Sequence, residues 1–302
     1  SSWMSSTYKV NFSAENEILP LMGSKEGIMH ISMAFLNAGD KVLVPNPGYP
    51  TYTSVSNLID AEIEFYDLDE NNGWNVDVEA LKKQDLSKVK LLWLNYPHMP
   101  TGAKADNKVL RELIALAKEE KFLIINDNPY SLILNPAPQS IFNLEGSKAV
   151  CLELNSLSKS HNMAGWRIGW LTGAPEYIAT VLRVKSNMDS GMFLGLQKAA
   201  IKALSNPMKW HNEQNDIYTE RKKLIGEIFD YLKLSYDPNS VGMFVWAKVP
   251  DEVNSVEKLV DDILYKADVF ITPGFIFGSN GGRYIRASLC AKEATIKEAL
   301  NR

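Results

Sequence analysis

Ser156-Leu157-Ser158-Lys159 opens a stretch that sets one lysine among hydroxyls and small residues, with Arg167 eight positions further on. Burial and nearby cations disfavour an ammonium group, and a neutral lysine attacks carbonyl carbons. Ser156 and Arg167 are suited to hold an anion beside it, because the planar guanidinium fork matches phosphate. A Schiff-base lysine next to a phosphate site points to pyridoxal phosphate (PLP). The same residues also fit an exposed lysine with a solvated arginine, and this window alone leaves both open.

Four further sites can serve the same chemistry. Gly23-Ser24-Lys25-Glu26-Gly27 immediately precedes a helical pattern, so its backbone N–H groups form an anion site, although Ser24 also fits a plain N-cap. Tyr49, in Asn46-Pro47-Gly48-Tyr49-Pro50, follows a strand end and can lie flat on an aromatic ligand or simply fill a turn. Asp127-Asn128-Pro129-Tyr130 puts a carboxylate at a strand terminus. There it can keep a pyridine nitrogen protonated or cap a turn. Arg286, inside the strand-like Tyr284-Ile285-Arg286-Ala287-Ser288, would pair with a carboxylate if it faces inward and is an ordinary surface arginine if it faces outward.

The elements that must position these residues alternate. Strands are expected at 41–45, 62–66, 89–95, 122–127, 150–155 and 168–172, with helices over 26–37 and 104–120 and a helix beginning at Pro175. This βαβ rhythm predicts a mostly parallel sheet with helices on both faces, and ligands at the carboxyl ends of its strands. Asn95, Asp127, Asn155 and Ser156 fall there. After about residue 187 the rhythm changes: helices over 193–205 and from 208 towards 236, strands at 241–249 and 283–287, and a helix over 256–267. The expected organisation is a three-layer α/β/α large domain over 16–207, a smaller α+β domain over 208–302, and an unplaced segment over 1–15.

Composition sets limits. The 302 residues, 45% hydrophobic and 23% charged, are those of an ordinary globular protein, and a formal charge of −4 gives no reason to expect nucleic acid or an anionic membrane as partner. Cys151 and Cys290 sit in apolar runs and are expected to be buried free thiols of a reducing compartment. No apolar run approaches a membrane span, and the start has no signal-peptide pattern. A soluble, cytoplasmic protein is expected. No metal ligands are assigned.

Taken in order, Gly23-Ser24-Lys25-Glu26-Gly27, Pro47-Gly48-Tyr49-Pro50, Pro100-Thr101-Gly102, Asp127-Asn128-Pro129-Tyr130, Ser156-Leu157-Ser158-Lys159, Arg167-Ile168-Gly169 and Ile285-Arg286 resemble the class I/II aminotransferases of the aspartate-aminotransferase superfamily, PLP fold type I. The stretch Lys185 to Gly191 looks like the branch that contains LL-diaminopimelate aminotransferase. The resemblance implies that Lys159 forms the Schiff base with PLP and shuttles the proton. It implies that Asp127 pairs with the pyridine nitrogen, Tyr130 hydrogen-bonds the phenolic oxygen and Tyr49 stacks on the ring. Ser24, Lys25 (through backbone N–H), Ser156 and Arg167 would hold the phosphate with Ser158 nearby, and Arg286 would bind the substrate α-carboxylate. A ping-pong exchange between an amino acid and a 2-oxo acid follows, in a homodimer with active sites at the subunit interface. Lys185 and Asn187 are candidates to face the substrate side chain, against a helix-surface position for both. No second arginine for a distal carboxylate is recognisable. A β-lyase on the same scaffold and a non-catalytic PLP-binding sensor are the competing functions, the latter without a visible DNA-binding segment.

Two departures from the family pattern bear on this. Met99 stands where the family usually has an asparagine that donates to the cofactor's phenolic oxygen. A thioether cannot donate, so a Schiff-base pKa above the family's usual range is expected, with His98 either a substitute donor or a loop histidine with no cofactor contact. Relatives also carry a longer portion before the first motif, which helps close the active site and builds part of the small domain and dimer contact. That implies either a shortened chain or one continuing beyond these residues. True absence would put catalysis in doubt.

Overall fold

Val89-Lys90-Leu91-Leu92-Trp93-Leu94 is almost unbroken in apolar character because it is covered on both faces, as a parallel strand under two helical layers must be. A computed structural model describes residues 1–302. Its large sheet contains β1 (Ile18–Leu21), β2 (Lys41–Asn46), β3 (Glu62–Asp67), β4 (Val89–Leu94), β5 (Leu123–Asp127), β6 (Cys151–Ser156) and β7 (Gly169–Gly173), in the order β1-β7-β6-β5-β4-β2-β3. Strands β2 to β6 are mutually parallel, whereas β7 pairs antiparallel with both β6 and β1. The short edge strand β1 was not among the strands expected; it tolerates Pro20 because an edge position does not need every N–H.

The helices of this part are α1 (Ser2–Tyr8), α2 (Ser24–Phe35), α3 (Pro50–Leu58), α4 (Val78–Leu81), α5 (Asn107–Glu120), α6 (Leu157–Ser160), α7 (Pro175–Met188) and α8 (Leu194–Leu204). Period-two alternation sorts the strand side chains between two layers. Leu43, Leu92, Leu94 and Ile124 pack with α5, while Val42, Val44, Leu91, Trp93 and Ile125 pack with residues of α2, α3 and α7. Helix α5 starts later than its apolar pattern suggests because Asp106 caps it, accepting from the Lys108 N–H at 2.7 Å. Residues 1–15 include α1, whose Met4 and Tyr8 join Val10, Phe12 and Trp170 in a separate apolar cluster. None of the helices is long and apolar enough to cross a membrane.

Helix α9 (Met208–Tyr231) leads to a second, antiparallel sheet of order β10-β11-β9-β8, made of β8 (Ser235–Tyr236), β9 (Phe244–Lys248), β10 (Thr272–Pro273) and β11 (Tyr284–Ser288). Helices α10 (Val256–Ala267) and α11 (Glu293–Asn301) contribute Val256, Val260 and Ile296 to its core. A polar seam joins the two sheets. Asn46 Nδ2 donates to Ser279 Oγ (2.8 Å) and Asp67 Oδ1 (3.0 Å), and Asn280 Nδ2 donates to Asp67 Oδ1 (2.9 Å). Tyr284 donates to Glu70 Oε2 (2.9 Å), and the same carboxylate pairs with Lys248. The α/β/α layers and smaller α+β unit agree with the expected fold class.

Candidate active site

Asn95, Asp127 and Ser156 follow or end β4, β5 and β6, so register alone gathers them at one edge of the sheet. They open into a cavity of about 470 Å³ between the two sheets. Ser24, Lys25, Tyr49, Asp127, Tyr130, Ser156, Ser158, Lys159, Arg167 and Arg286, all singled out in the sequence, line it together. A larger hollow of about 550 Å³ lies between α9, β10 and α11 and shares only Arg286 with this set. Chemistry, not size, selects the site.

Asp127 is fully enclosed. The Tyr52 hydroxyl donates to its Oδ2 at 3.1 Å, whereas Oδ1 is buried without a partner. Burial pushes its carboxyl up to about 7, against the Tyr52 hydrogen bond and with help from the charge of Glu153. Tyr52 lies on α3 and stacks on Trp93 at 4.9 Å and 6°. It was not among the residues singled out, because its contact with Asp127 depends on how α3 packs against the sheet. Asn95 Nδ2 donates to the Asp127 carbonyl, and Asn95 Oδ1 accepts from the Met99 N–H at 2.8 Å, fixing the loop that brings Met99 to the wall.

At another part of the wall, Ser156 caps α6 by accepting from the Ser158 N–H at 3.1 Å, which sets Lys159 in a single helical turn. Arg167 is held by the Ala164 carbonyl at 2.8 Å and approaches Ser158 Oγ at 3.5 Å. Gly23 leads into α2 at φ 86°, and a Cβ there would fall 2.3 Å from Arg167 Nη2. A Cβ on Gly169 would lie 2.9 Å from the Ser24 nitrogen. Glycine is what lets β7, the α2 N-terminus and the guanidinium converge.

Arg286 faces inward from β11. Its guanidinium lies between the rings of Phe244 (4.0 Å) and Phe277 (4.5 Å), and Nη1 reaches Met99 Sδ at 3.2 Å. No protein carboxylate pairs with it, and Nε is buried and unpartnered. A half-buried cation in this state is poised for an anion from outside the protein. The Phe244 and Phe277 clamp carries no local sequence signal, since only the tertiary fold brings the rings together.

Two sequence expectations need correction, those for Cys290 and Lys185. Cys151 is buried as expected, but Cys290 is exposed, because it lies just past the end of β11. Lys185 belongs neither to the cavity nor to the helix surface: its ammonium is buried against Glu26 and Asp189. Asn187 is exposed on α7 and caps back onto the Arg183 carbonyl. Of the two positions considered for His98, the structure shows the loop histidine. Its Nδ1 meets Thr101 Oγ1 at 2.8 Å, it does not line the cavity, and burial pushes its pKa down to about 3.

The family pattern of class I and II aminotransferases matches residues 1–302. The chain belongs to that family. This aminotransferase is 37% identical over 302 residues to the LL-diaminopimelate aminotransferase of Halothermothrix orenii, covering 99% of the chain and 77% of the relative. It is 38% identical over 303 residues to the enzyme of the same name from Moorella thermoacetica, with the same coverage. Among solved structures, apo-BacF from Bacillus subtilis superposes with a TM-score of 0.94 at 36% identity, covering 99% of this chain and 80% of that one. A probable N-succinyldiaminopimelate aminotransferase from Thermus thermophilus gives 0.92 at 30% identity, with the same coverage.

This aminotransferase therefore has the PLP fold type I and uses pyridoxal phosphate. The residues present fit that group. The cavity offers a buried carboxylate oxygen with no partner, a convergence of hydroxyl, guanidinium and helix-terminal donors kept open by Gly23, and a lysine on the same wall.

Proposed function

We propose that this aminotransferase moves the amino group of an α-amino acid to a 2-oxo acid using Lys159, Asp127, Tyr130 and Arg286 in named roles. The observation that carries this assignment is the joint presence, in one cavity, of Lys159, the unpartnered Asp127 Oδ1 and the uncompensated Arg286. Pyridoxal phosphate, when bound, supplies a carbonyl carbon for amines and a ring that accepts the electron pair released at the substrate Cα. Ser24, the Lys25 backbone N–H, Ser156, Ser158 and Arg167 hold its phosphate, and Tyr49 covers its ring. Asp127 keeps a proton on the ring nitrogen through Oδ1 while Tyr52 steadies Oδ2. Tyr130 donates to the phenolic oxygen, since Met99 cannot. Arg286 takes the α-carboxylate and so fixes which Cα bond faces Lys159. Lys159 Nζ would take the Cα proton and give it up away from Cα, so that the substrate can leave as the 2-oxo acid.

LL-diaminopimelate is the first donor to test, since relatives at 37% and 38% identity carry that name. The two sheets support a division into a large domain over 16–207 and a small one over 208–302, with α9 as the link. Exposed Phe193, Leu194 and Ile201 on and beside α8, a helix with no buried residue, support self-association as a homodimer. Two free thiols support a cytoplasmic location.

The test is the visible spectrum of the purified protein with PLP, before and after each amino acid of a panel without acceptor. A band absent in Lys159→Ala, and bleached by one amino acid as its 2-oxo acid appears, is expected. Pyruvate and ammonia formed without acceptor would assign a lyase instead, and a band that no amino acid alters would reject catalysis.

A further inference from the structure

The first turn of α2 carries a carboxylate directly behind the proposed phosphate site. Ser24 and Lys25 line the cavity, but Glu26, the next residue, does not. Its Oε2 turns back to accept from the Met22 N–H at 2.5 Å. Its Oε1 meets His30 Nε2 at 3.0 Å and Lys185 Nζ at 3.2 Å. Lys185 arrives from the last turn of α7, where its side chain is 6% exposed and also pairs with Asp189. Burying a lysine is costly unless its charge is matched, and Glu26 and Asp189 supply that match.

Two effects act at the phosphate site. Geometrically, Lys185 ties α2 to α7 and so fixes the direction in which the α2 N-terminal N–H groups point. Electrostatically, an unmatched Glu26 in that turn would oppose a phosphate dianion at Ser24 and Lys25, because charges near a partly buried site are screened less than in bulk water. We infer that Lys185 is a positioning residue for the cofactor phosphate, masking Glu26 and anchoring the α2 N-terminus without touching the cofactor. This rests on the proposed phosphate cradle.

The experiment titrates apo-protein with PLP and, separately, with pyridoxal, which lacks the phosphate, following the visible band and tryptophan fluorescence. Lys185→Met is expected to weaken PLP binding roughly tenfold or more while leaving pyridoxal within about twofold, the pattern of an unmasked charge acting on phosphate alone. Glu26→Gln combined with Lys185→Met removes the unmatched charge though not the lost anchor, and is expected to bind PLP at least roughly threefold more tightly than Lys185→Met alone. Equal weakening of both ligands, or no rescue by the double variant, overturns the inference. If Lys185→Met does not fold, Lys185→Gln, which keeps a donor to Glu26 but not the charge, must still lose PLP selectivity or the inference fails. Arg167→Gln separates the premises: an unchanged preference for PLP over pyridoxal there rejects the cradle itself. A changed preference there with none in the Lys185 variants rejects only the role of Lys185.

Discussion

Asp127 keeps a proton longer than an ordinary aspartate, and the sign of its effect on stability follows. Its carboxyl is raised from 3.8 to about 7 by burial, so between those values the apo-protein holds a proton that the unfolded chain has released. Its contribution to stability therefore falls as pH rises through that window. Asp127→Asn removes the effect: the difference in apo-protein Tm, variant minus wild type, should grow from about pH 4 to about pH 7 and then level off. A flat difference would mean that the carboxyl ionises normally. At Met99 the relevant quantity is the pH at which the visible band of the PLP-loaded enzyme changes form. Met99→Asn supplies a donor to the phenolic oxygen and should move that midpoint down; an unchanged midpoint rejects the idea. His98 offers no such donor, being turned to Thr101.

At the scale of elements, Gly23 joins β1 to α2 with a left-handed turn that leaves no room beside Arg167. Gly23→Ala is expected to fold, because the clash meets a side-chain tip, but to lose PLP affinity by roughly tenfold or more as the guanidinium and the helix terminus are pushed apart. Equilibrium titration with PLP checks it, with circular dichroism to confirm folding. Elements also explain what the sequence could reveal. Ser24, Asp127, Ser156 and Lys159 were legible because each stands at a strand end or a helix start, positions that periodicity and capping chemistry mark. The antiparallel direction of β7 is less obvious but has a physical cause: between Ser156 and Gly169 the chain forms only short turns, too little for the crossover that a parallel strand needs. Tyr52, Phe244, Phe277 and the buried state of Lys185 were not legible. Each depends on which element packs opposite, and no local pattern records that.

For the molecule as a whole, the exposed apolar face of α8 makes a prediction about assembly. Phe193→Glu with Ile201→Glu places charges on surfaces that are 74% and 69% exposed in the single chain, so neither change should lower the Tm of an isolated protomer appreciably. If the apolar face joins two copies, light scattering should show the variant pair at monomer mass and the parent at twice that. Equal masses would place the interface elsewhere or remove it.

The seam from Asn46 to Asn280 has a consequence for how such an enzyme changes its diet over evolutionary time. Arg286 and its two phenylalanines ride on the small sheet and its adjoining turn, whereas Lys159 and Asp127 belong to the large one. The two are brought together by side-chain hydrogen bonds and by backbone bonds such as Gly48 N–H to the Phe277 carbonyl (2.8 Å), not by chain neighbours. A lineage can therefore explore new donors by drift along β9, β11 and the seam while the cofactor stays seated. Laboratory selection for a new amino acid should gather its first useful changes there, well away from the lysine proposed to do the chemistry.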